Sequence, residues 1–518
     1  MKRHKKCQVK PRFNSIIYHS KIALITISSG DIVSLLSGMK KSQLVFVPAS
    51  GMGHLVSAVE LAKLLINRHD QLSVTVLITK APSDPTFDAY THSLTSSLSL
   101  PQRLHFVLLP PHPHRDHANS HSLHPTTFLE SLIENQKLSV RNAVSKLVSD
   151  PGSPQLSGFV LDMFCAAMID VAADFRVPAI IFFTSSAAFL GFKLHVHTLW
   201  ERENVDTTAL DFNDSATGFA IPSFANHVPA SVFPGPWLDK DWAPFVLNLA
   251  SWIKKTKRII VNTFDELESH AIQSFSSSDL TVYPIGPILS IGDNQTVAQE
   301  SGVIRWLDDQ APSSVIFLCF GSRGYLDQNQ VTEMARALEA SSVHFVWSLR
   351  KPPPKGWMEA PSDYSNVEEI LPEGFLLRTA KLGRVMGWAP QAQILAHEAV
   401  GGFVSHCGWN SILESIYYGV PIATWPLHAE QQVNAFQLVR ELKMSLEISL
   451  DYRSEFGNVG KSGVISAETI ARGIKEVMEK ESETRKKVKQ MSELSRRALM
   501  EGGSSFSSLG RFIHDLLS

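Results

Sequence analysis

The chain reads as α/β: two Rossmann-like lobes, each built on a parallel sheet. Three observations predict this. Residues 44–47 are a continuous apolar run that opens into Gly51-Met52-Gly53-His54 and then a helix carrying Leu55, Val59, Leu61, Leu64 and Leu65. Such runs suit strands buried on both faces of a parallel sheet. Composition turns polar over 289–302, and the strand pattern restarts at 314–318. Residues 401–417 repeat the order of strand, glycine turn and helix.

Bulk properties set the outer limits. A chain of 518 residues suits two to three domains. With 48 basic and 50 acidic residues, no global basic field points to nucleic acid or an anionic membrane. Cys7, Cys165, Cys319 and Cys407 are scattered without CxxC spacing, as in a reduced cytosolic compartment.

Residues 1–38 differ from the rest. MKRHKK is basic, and Ser28-Ser29-Gly30-Asp31 ends the apolar run at 22–27. A spanning helix needs about 20 apolar residues, and the run is followed by no clear leader-type cleavage site. Met39-Lys40-Lys41-Ser42 leads directly into the first strand, so translation is expected from Met39, with 1–38 a non-native or disordered extension.

The first lobe is expected over 39–288. His54 stands at the carboxyl end of a strand, where α/β folds place ligands. Val56 occupies the place of the third glycine of a dinucleotide fingerprint, so that fingerprint is absent. Residues 74–78, 106–109, 158–162, 178–183 and 258–264 read as further strands, and 164–173 as a helix. Asp162 ends a strand, as the segment before His54 does. Carboxyl ends of a parallel sheet share one rim, so the two residues can meet; Asp162 can equally cap a helix. The His-rich stretch 110–124 lacks paired ligands at helical or hairpin spacing and reads as a mobile loop rather than a metal site. Residues 210–236, rich in Pro, Phe and Asn, read as loop. Asp239-Lys240-Asp241 is a DxD string with no strand running into it, hence a solvated loop.

The second lobe is expected over 303–500. Gly321-Ser322 is a turn after the strand at 314–318, and Ser322 can donate to a phosphate. Residues 344–349 are a strand, and 352–368 a proline-rich, mobile insertion. Helices follow at 467–480 and 481–500, the latter charged enough to read as a solvated face. Gly502-Gly503 precedes a last helix with Leu509, Phe512, Ile513, Leu516 and Leu517 on one side.

Polar groups are densest between Trp388 and Gln431. Trp388 in a proline turn can stack on a base or plug the core. Gly408 through Ser411 form a turn at a helix start, where free N–H groups and the dipole suit a phosphate. His406 and Ser411 add donors. Ser411 is also a candidate N-cap, with Glu414 closing a capping box. Glu414 can instead accept from adjacent ribose hydroxyls, and Glu430 with Gln431 can bind several sugar hydroxyls.

These 44 residues, with WAPQ, HCGWNS and a closing E-Q, resemble the signature box of plant family 1 UDP-glycosyltransferases without a gap. The resemblance extends over about 39–518. It implies the GT-B fold: two Rossmann-like lobes facing across a cleft, with the last helix, 501–518, returning to the N-terminal lobe. It implies that Trp388 stacks on uracil, that Ala389 and Gln391 hold its edge, and that Glu414 takes the ribose. His406, Gly408, Trp409, Asn410 and Ser411, with Ser322, fall to the diphosphate side, and Thr184, Glu430 and Gln431 to the hexose. Gln431 resembles the glucose users; galactose users often carry His there. Leu161-Asp162-Met163-Phe164-Cys165 resembles the family's second catalytic segment. Arg323 departs from the family, which usually has an uncharged residue after the serine.

The expected function is therefore inverting, UDP-glucose-dependent O-glucosylation of a small lipophilic acceptor: a phenolic, flavonoid, phenylpropanoid or hormone. His54 would act as base with Asp162 orienting it, and His54 and Ala429 would touch the acceptor. No cofactor and no metal are expected, nor nucleic acid or membrane insertion; a cytoplasmic monomer is. Two other readings remain. A sugar-nucleotide epimerase shares the fold, but the long Pro/Phe-rich region argues against it. A non-catalytic UDP-sugar sensor is opposed by the presence of both His54 and Asp162.

Overall fold

The computed structural model describes residues 41–79, 85–96, 100–110, 125–211, 217–290, 302–353, 360–454 and 462–518. The N-terminal extension, the histidines of the 110–124 stretch and most of the linker expected at 289–302 lie outside them.

Seven strands form the first sheet: β1 (Ser42–Val47), β2 (Leu72–Ile78), β3 (Leu104–Leu108), β4 (Gln155–Asp162), β5 (Ala179–Phe183), β8 (Arg258–Val261) and β9 (Thr281–Pro284). Between β5 and β8 lie the short antiparallel pair β6 (Gly218–Phe219) and β7 (Val228–Pro229), within the stretch read as loop. The order is β3-β2-β1-β4-β5-β8-β9, and every pairing in it is parallel. The second sheet has β10 (Val315–Cys319), β11 (His344–Ser348), β12 (Gly383–Met386), β13 (Val400–Ser405), β14 (Ile422–Thr424) and β15 (Ser445–Glu447). Its order, β12-β11-β10-β13-β14-β15, is again wholly parallel. Both sheets reverse strand order once, between β1 and β4 and between β10 and β13. Ligands of open α/β sheets bind at such switch points, beyond the carboxyl ends of the strands.

The helices that matter below are α1 (Met52–Arg68), α2 (Ala187–Glu203), α3 (Asp265–Gln273), α4 (Gln328–Ser341), α5 (Trp409–Tyr418), α6 (Gln431–Phe436), α7 (Glu483–Leu499) and α8 (Ser504–Leu517). Alternate strand residues enter different cores, as period-two side chains must. Leu44 and Phe46 join the layer under α1 and α8, whereas Val45 and Val47 join a layer shared by the two lobes. In the second sheet Ile316 and Leu318 pack with α4, and Val315 and Phe317 enter the shared layer. Helix α8 buries Leu509, Phe512, Ile513 and Leu516 against the first sheet, and Tyr283 donates to Asp515 at 2.7 Å.

Several local expectations fail. The helix expected at 164–173 begins as a 3₁₀ turn, Met163–Met168, before α-helical Ile169–Asp174. The strand expected to reach 264 ends at Val261, because Asn262 turns aside: its Oδ1 accepts from Ile288 N at 2.7 Å. Asp239 is not solvated; it is 1% exposed and accepts the N–H groups of Asp241 and Trp242. Helix α7 is solvated on one side only. Its Ser492 and Arg496 donate to the carbonyl of Tyr417, at the end of α5, where a cation suits the helix dipole.

Candidate active site

The rim of the first sheet brings His54 and Asp162 together. His54 is the third residue of α1, just after β1, and Asp162 is the last residue of β4. His54 Nδ1 lies 2.7 Å from Asp162 Oδ2 and 3.1 Å from Thr184 Oγ1. Asp162 Oδ1 accepts from Phe164 N at 2.9 Å, so this carboxylate caps the 3₁₀ turn and holds the histidine at once. The Phe164 ring meets the imidazole edge to face, with centroids 5.3 Å apart. With Nδ1 bound to the carboxylate, Nε2 is left with no hydrogen-bond partner among the described residues. Burial pulls the His54 pKa down, but the charge of Asp162 and its hydrogen bond outweigh that, and the net shift is upward.

The rim of the second sheet faces this pair. Helix α5 starts at Trp409 with Gly408 as N-cap, and no side chain among the described residues caps it, so its first N–H groups are open. Ser411 is therefore the third residue of the helix rather than its cap, and the expected capping box with Glu414 does not form. Asn410 reaches across, its Nδ2 donating to Gly53 O at 3.2 Å, so the starts of α1 and α5 meet. His406 is buried, and burial first, then the charge of His428, pulls its pKa to about 3, leaving it neutral. A Cβ on Gly321 or on Gly408 would lie 2.5 Å from His406 Nε2, so the imidazole needs glycine on both sides. Ser322 follows Gly321 in the turn after β10, half-buried.

Trp409 departs from its expected place on the donor side. Its side chain is 2% exposed, and its Nε1 donates to Asn262 O at 2.7 Å, fastening one lobe to the other. Only its backbone N–H, at the helix start, stays with the phosphate-type site.

Beyond α5 the base-side residues gather. Trp388 is half-buried; its N–H donates to Asp363 at 3.0 Å, and the Arg350 guanidinium lies 5.1 Å from its ring centroid. Arg350 and Asp363 pair at 3.2 Å. The described part of the insertion at 352–368 thus reaches the site through Asp363. The sequence gives no warning of Arg350 and Asp363, because their partners are distant in the chain. Ala389 is buried, and its carbonyl accepts from Gln391 N. Gln391 Nε2 donates to Ser411 Oγ at 2.8 Å and to Glu414 Oε2 at 2.7 Å. Burial lifts the Glu414 pKa to about 7, against the Gln391 hydrogen bond.

The loop after β14 completes the site. Ala429 takes a left-handed φ of 57°, unusual for a residue with a side chain. Glu430 lies 3.5 Å from Ser185 Oγ, across the cleft, and burial raises its pKa. Gln431 Oε1 accepts from Leu427 N and His428 N at 2.9 and 3.0 Å, so one half of its amide shapes the loop. Its –NH₂ half has no partner among the described residues. His428 is held neutral, its pKa drawn to about 4 by burial and then by the charge of Arg323. Arg323 is therefore near enough to this loop to act on it electrostatically. Among the described residues no group of three or more His, Cys, Asp or Glu could hold a metal, and no helix is long and apolar enough to cross a membrane.

An imidazole oriented by a carboxylate, with Nε2 open, can take a proton from a hydroxyl. Open N–H groups at the facing helix start can stabilise a departing diphosphate. Comparisons with known proteins give the family. The family model described as "UDP-glucoronosyl and UDP-glucosyl transferase" matches residues 296–492. The chain is 50% identical over 489 residues to UDP-glucose flavonoid 3-O-glucosyltransferase 6 of Fragaria ananassa, covering 92% of this chain and 99% of that one. It is 48% identical over 469 residues to anthocyanidin 3-O-glucosyltransferase 1 of Manihot esculenta, covering 90% and 100%. A UGT transferase of Siraitia grosvenorii, solved in complex with UDP, matches with TM-score 0.79 and 45% identity over 92% of this chain and 100% of that one. UGT71G1 of Medicago truncatula, complexed with UDP-glucose, matches with TM-score 0.78 and 38% identity over 92% and 99%. By identity, coverage and fold, the chain belongs to the UDP-glucoronosyl and UDP-glucosyl transferase family and is a plant family 1 glycosyltransferase of GT-B architecture.

Proposed function

We propose that this enzyme transfers glucose from UDP-glucose to a hydroxyl of a flavonoid or related phenolic acceptor, with inversion at the anomeric carbon. The observation that carries the chemistry is the His54–Asp162 contact at 2.7 Å, which leaves Nε2 without a partner among the described residues, with the starts of α1 and α5 meeting through Asn410. Nε2 takes the proton of the acceptor hydroxyl as its oxygen attacks the anomeric carbon. The bond to the diphosphate breaks, and a β-glucoside leaves with free UDP. Asp162 keeps the proton on Nδ1 and stabilises the imidazolium. The departing charge meets the N–H groups of Trp409, Asn410 and Ser411, the neutral His406 and Ser322. Trp388, Ala389 and Gln391 take the uracil, Glu414 the ribose, and Thr184, Glu430 and Gln431 the hexose, while Ala429 lies on the acceptor side.

Glucose as the sugar is supported by Gln431, whose –NH₂ is open to hexose hydroxyls, and by relatives named as glucosyltransferases. The same relatives support a flavonoid-type acceptor. We place the enzyme in the cytoplasm as a monomer without a resident cofactor; its three described cysteines are free and buried. Incubation with UDP-glucose, UDP-galactose or UDP-glucuronate and a phenol panel tests the reading. UDP-glucose should give the highest kcat/KM and a β-linked product. A preference for another donor overturns the sugar assignment, an epimerised sugar nucleotide overturns the reaction, and binding without turnover points to a sensor.

A further inference from the structure

Helix α2 carries a lysine where an aromatic core would ordinarily exclude one. Lys193 is 2% exposed, yet its Nζ makes no hydrogen bond or ion pair among the described residues. Two rings lie near it: Nζ is 5.8 Å from the Phe189 centroid and 5.5 Å from that of Trp237. A second donor in the same cluster is also unused, because the indole N–H of Trp237, a residue 3% exposed, has no acceptor among the described residues. Phe183, at the end of β5 and next to Thr184, touches Phe189 at 6.1 Å, so the cluster continues directly from the rim that holds His54.

An unpaired ammonium in an apolar surrounding carries a desolvation cost that two nearby rings offset only in part. Burial accordingly draws the Lys193 pKa to about 8, against the charges of Glu430 and Asp162, so the amine is still largely protonated at neutral pH. Neither carboxylate is within ion-pair distance of Nζ, so neither satisfies its hydrogens. A buried indole donor without an acceptor and an ammonium with no hydrogen-bond or ion-pair partner among the described residues, in an aromatic cluster adjoining the catalytic rim, call for a ligand that brings the acceptor and the charge.

We propose that Lys193, assisted by the Trp237 N–H, selects acceptors that carry a carboxylate besides the aromatic body that packs on these rings. The inference rests on the glycosyltransferase reading above and narrows its acceptor class. Lys193 would set specificity without taking part in the proton transfer at His54.

Calorimetric titration of the UDP-saturated enzyme with 4-hydroxycinnamic acid and with its methyl ester tests this without relying on turnover. The wild type should bind the acid at least tenfold more tightly than the ester. In Lys193→Met, which fills the same volume with an apolar chain and should unfold at or above the wild-type temperature, that ratio should fall to within threefold of unity. Equal binding of acid and ester by the wild type, no binding of the acid, or a K193M variant that weakens both alike would overturn the proposal. Glucoside formation by the wild type with UDP-glucose is followed separately. Acid-selective binding without any glucoside would count against the transferase reading alone. Glucoside formed on both probes at equal affinity would count against Lys193 alone.

Discussion

His54 carries two testable consequences. A base must be neutral to accept a proton, so kcat/KM should fall as the pH drops through the His54 pKa, which lies above the ordinary histidine value. Asp162→Asn removes the charge that raises it and leaves the burial that lowers it. The acidic limb of the pH profile should therefore move to lower pH, while kcat falls because the wrong tautomer is favoured. His54→Ala should lower kcat by on the order of 10²–10⁴ with UDP-glucose affinity nearly unchanged, measured by calorimetry beside the kinetics. Loss of UDP-glucose binding instead would make His54 a donor ligand. Gln431→His should raise the barrier for glucose transfer by about 1–3 kcal/mol, and because Gln431 Oε1 also holds Leu427 N and His428 N, part of that loss should appear as a looser loop. At this scale the sequence was informative wherever a residue ended a strand. Rim placement sufficed to anticipate the meeting of His54 with Asp162. It could not anticipate Arg350, Asp363 or Lys193, whose significance lies in partners brought from elsewhere in the chain.

The strand, glycine turn and helix order of each lobe was visible because strands buried on both faces are apolar throughout. What the pattern did not reveal was why the turns are glycine. At Gly321 the φ of +75° and the nearness of His406 both forbid a side chain. Gly321→Ala should cost more than about 1 kcal/mol of stability and should weaken UDP-glucose binding by displacing His406; unchanged Tm and Kd together would contradict this. Helix α5 supplies a pH test as well. In the free enzyme Glu414 titrates at about 7. Ribose hydroxyls donating to it would favour the ionised form and lower its pKa in the complex. Binding then releases a proton below pH 7, so UDP-glucose affinity should rise as the pH is raised to about 7 and level off above it. Glu414→Gln should bind more weakly and with a flatter pH dependence. The slope that remains in this variant measures any contribution from the other lobe.

The two lobes are joined by more than a shared apolar layer. Glu268, in α3, sits in a kink with φ −125° and ψ 37°, which turns its carboxylate inward. It is 2% exposed and accepts from Ala187 N at 2.8 Å and Ala188 N at 2.9 Å, the first two residues of α2. Ser186 satisfies the next N–H, that of Phe189, so the helix start is fully paired. From the other lobe, Gln437 Nε2 donates to the same carboxylate at 2.7 Å. One buried acid thus holds the start of α2, immediately after Thr184 and Ser185, and ties it to the chain following α6. Nothing in the local pattern distinguishes Glu268 from the exposed acids beside it, which is why the sequence alone does not single it out. Glu268→Ala leaves two backbone donors and an amide dry. At about 1–3 kcal/mol for each group left without a partner, partly relieved by repacking, the expected loss of unfolding free energy is on the order of 3 kcal/mol, read from urea titration. Trp409→Phe, which removes the indole bond to Asn262 O and part of a buried ring, should cost about 2 kcal/mol. If the lobes act as one cooperative unit through this seam, Glu268→Ala should keep a single unfolding transition at lower urea. Two resolved transitions would show instead that the carboxylate is what couples the lobes, and wild-type stability would show that water replaces it without loss.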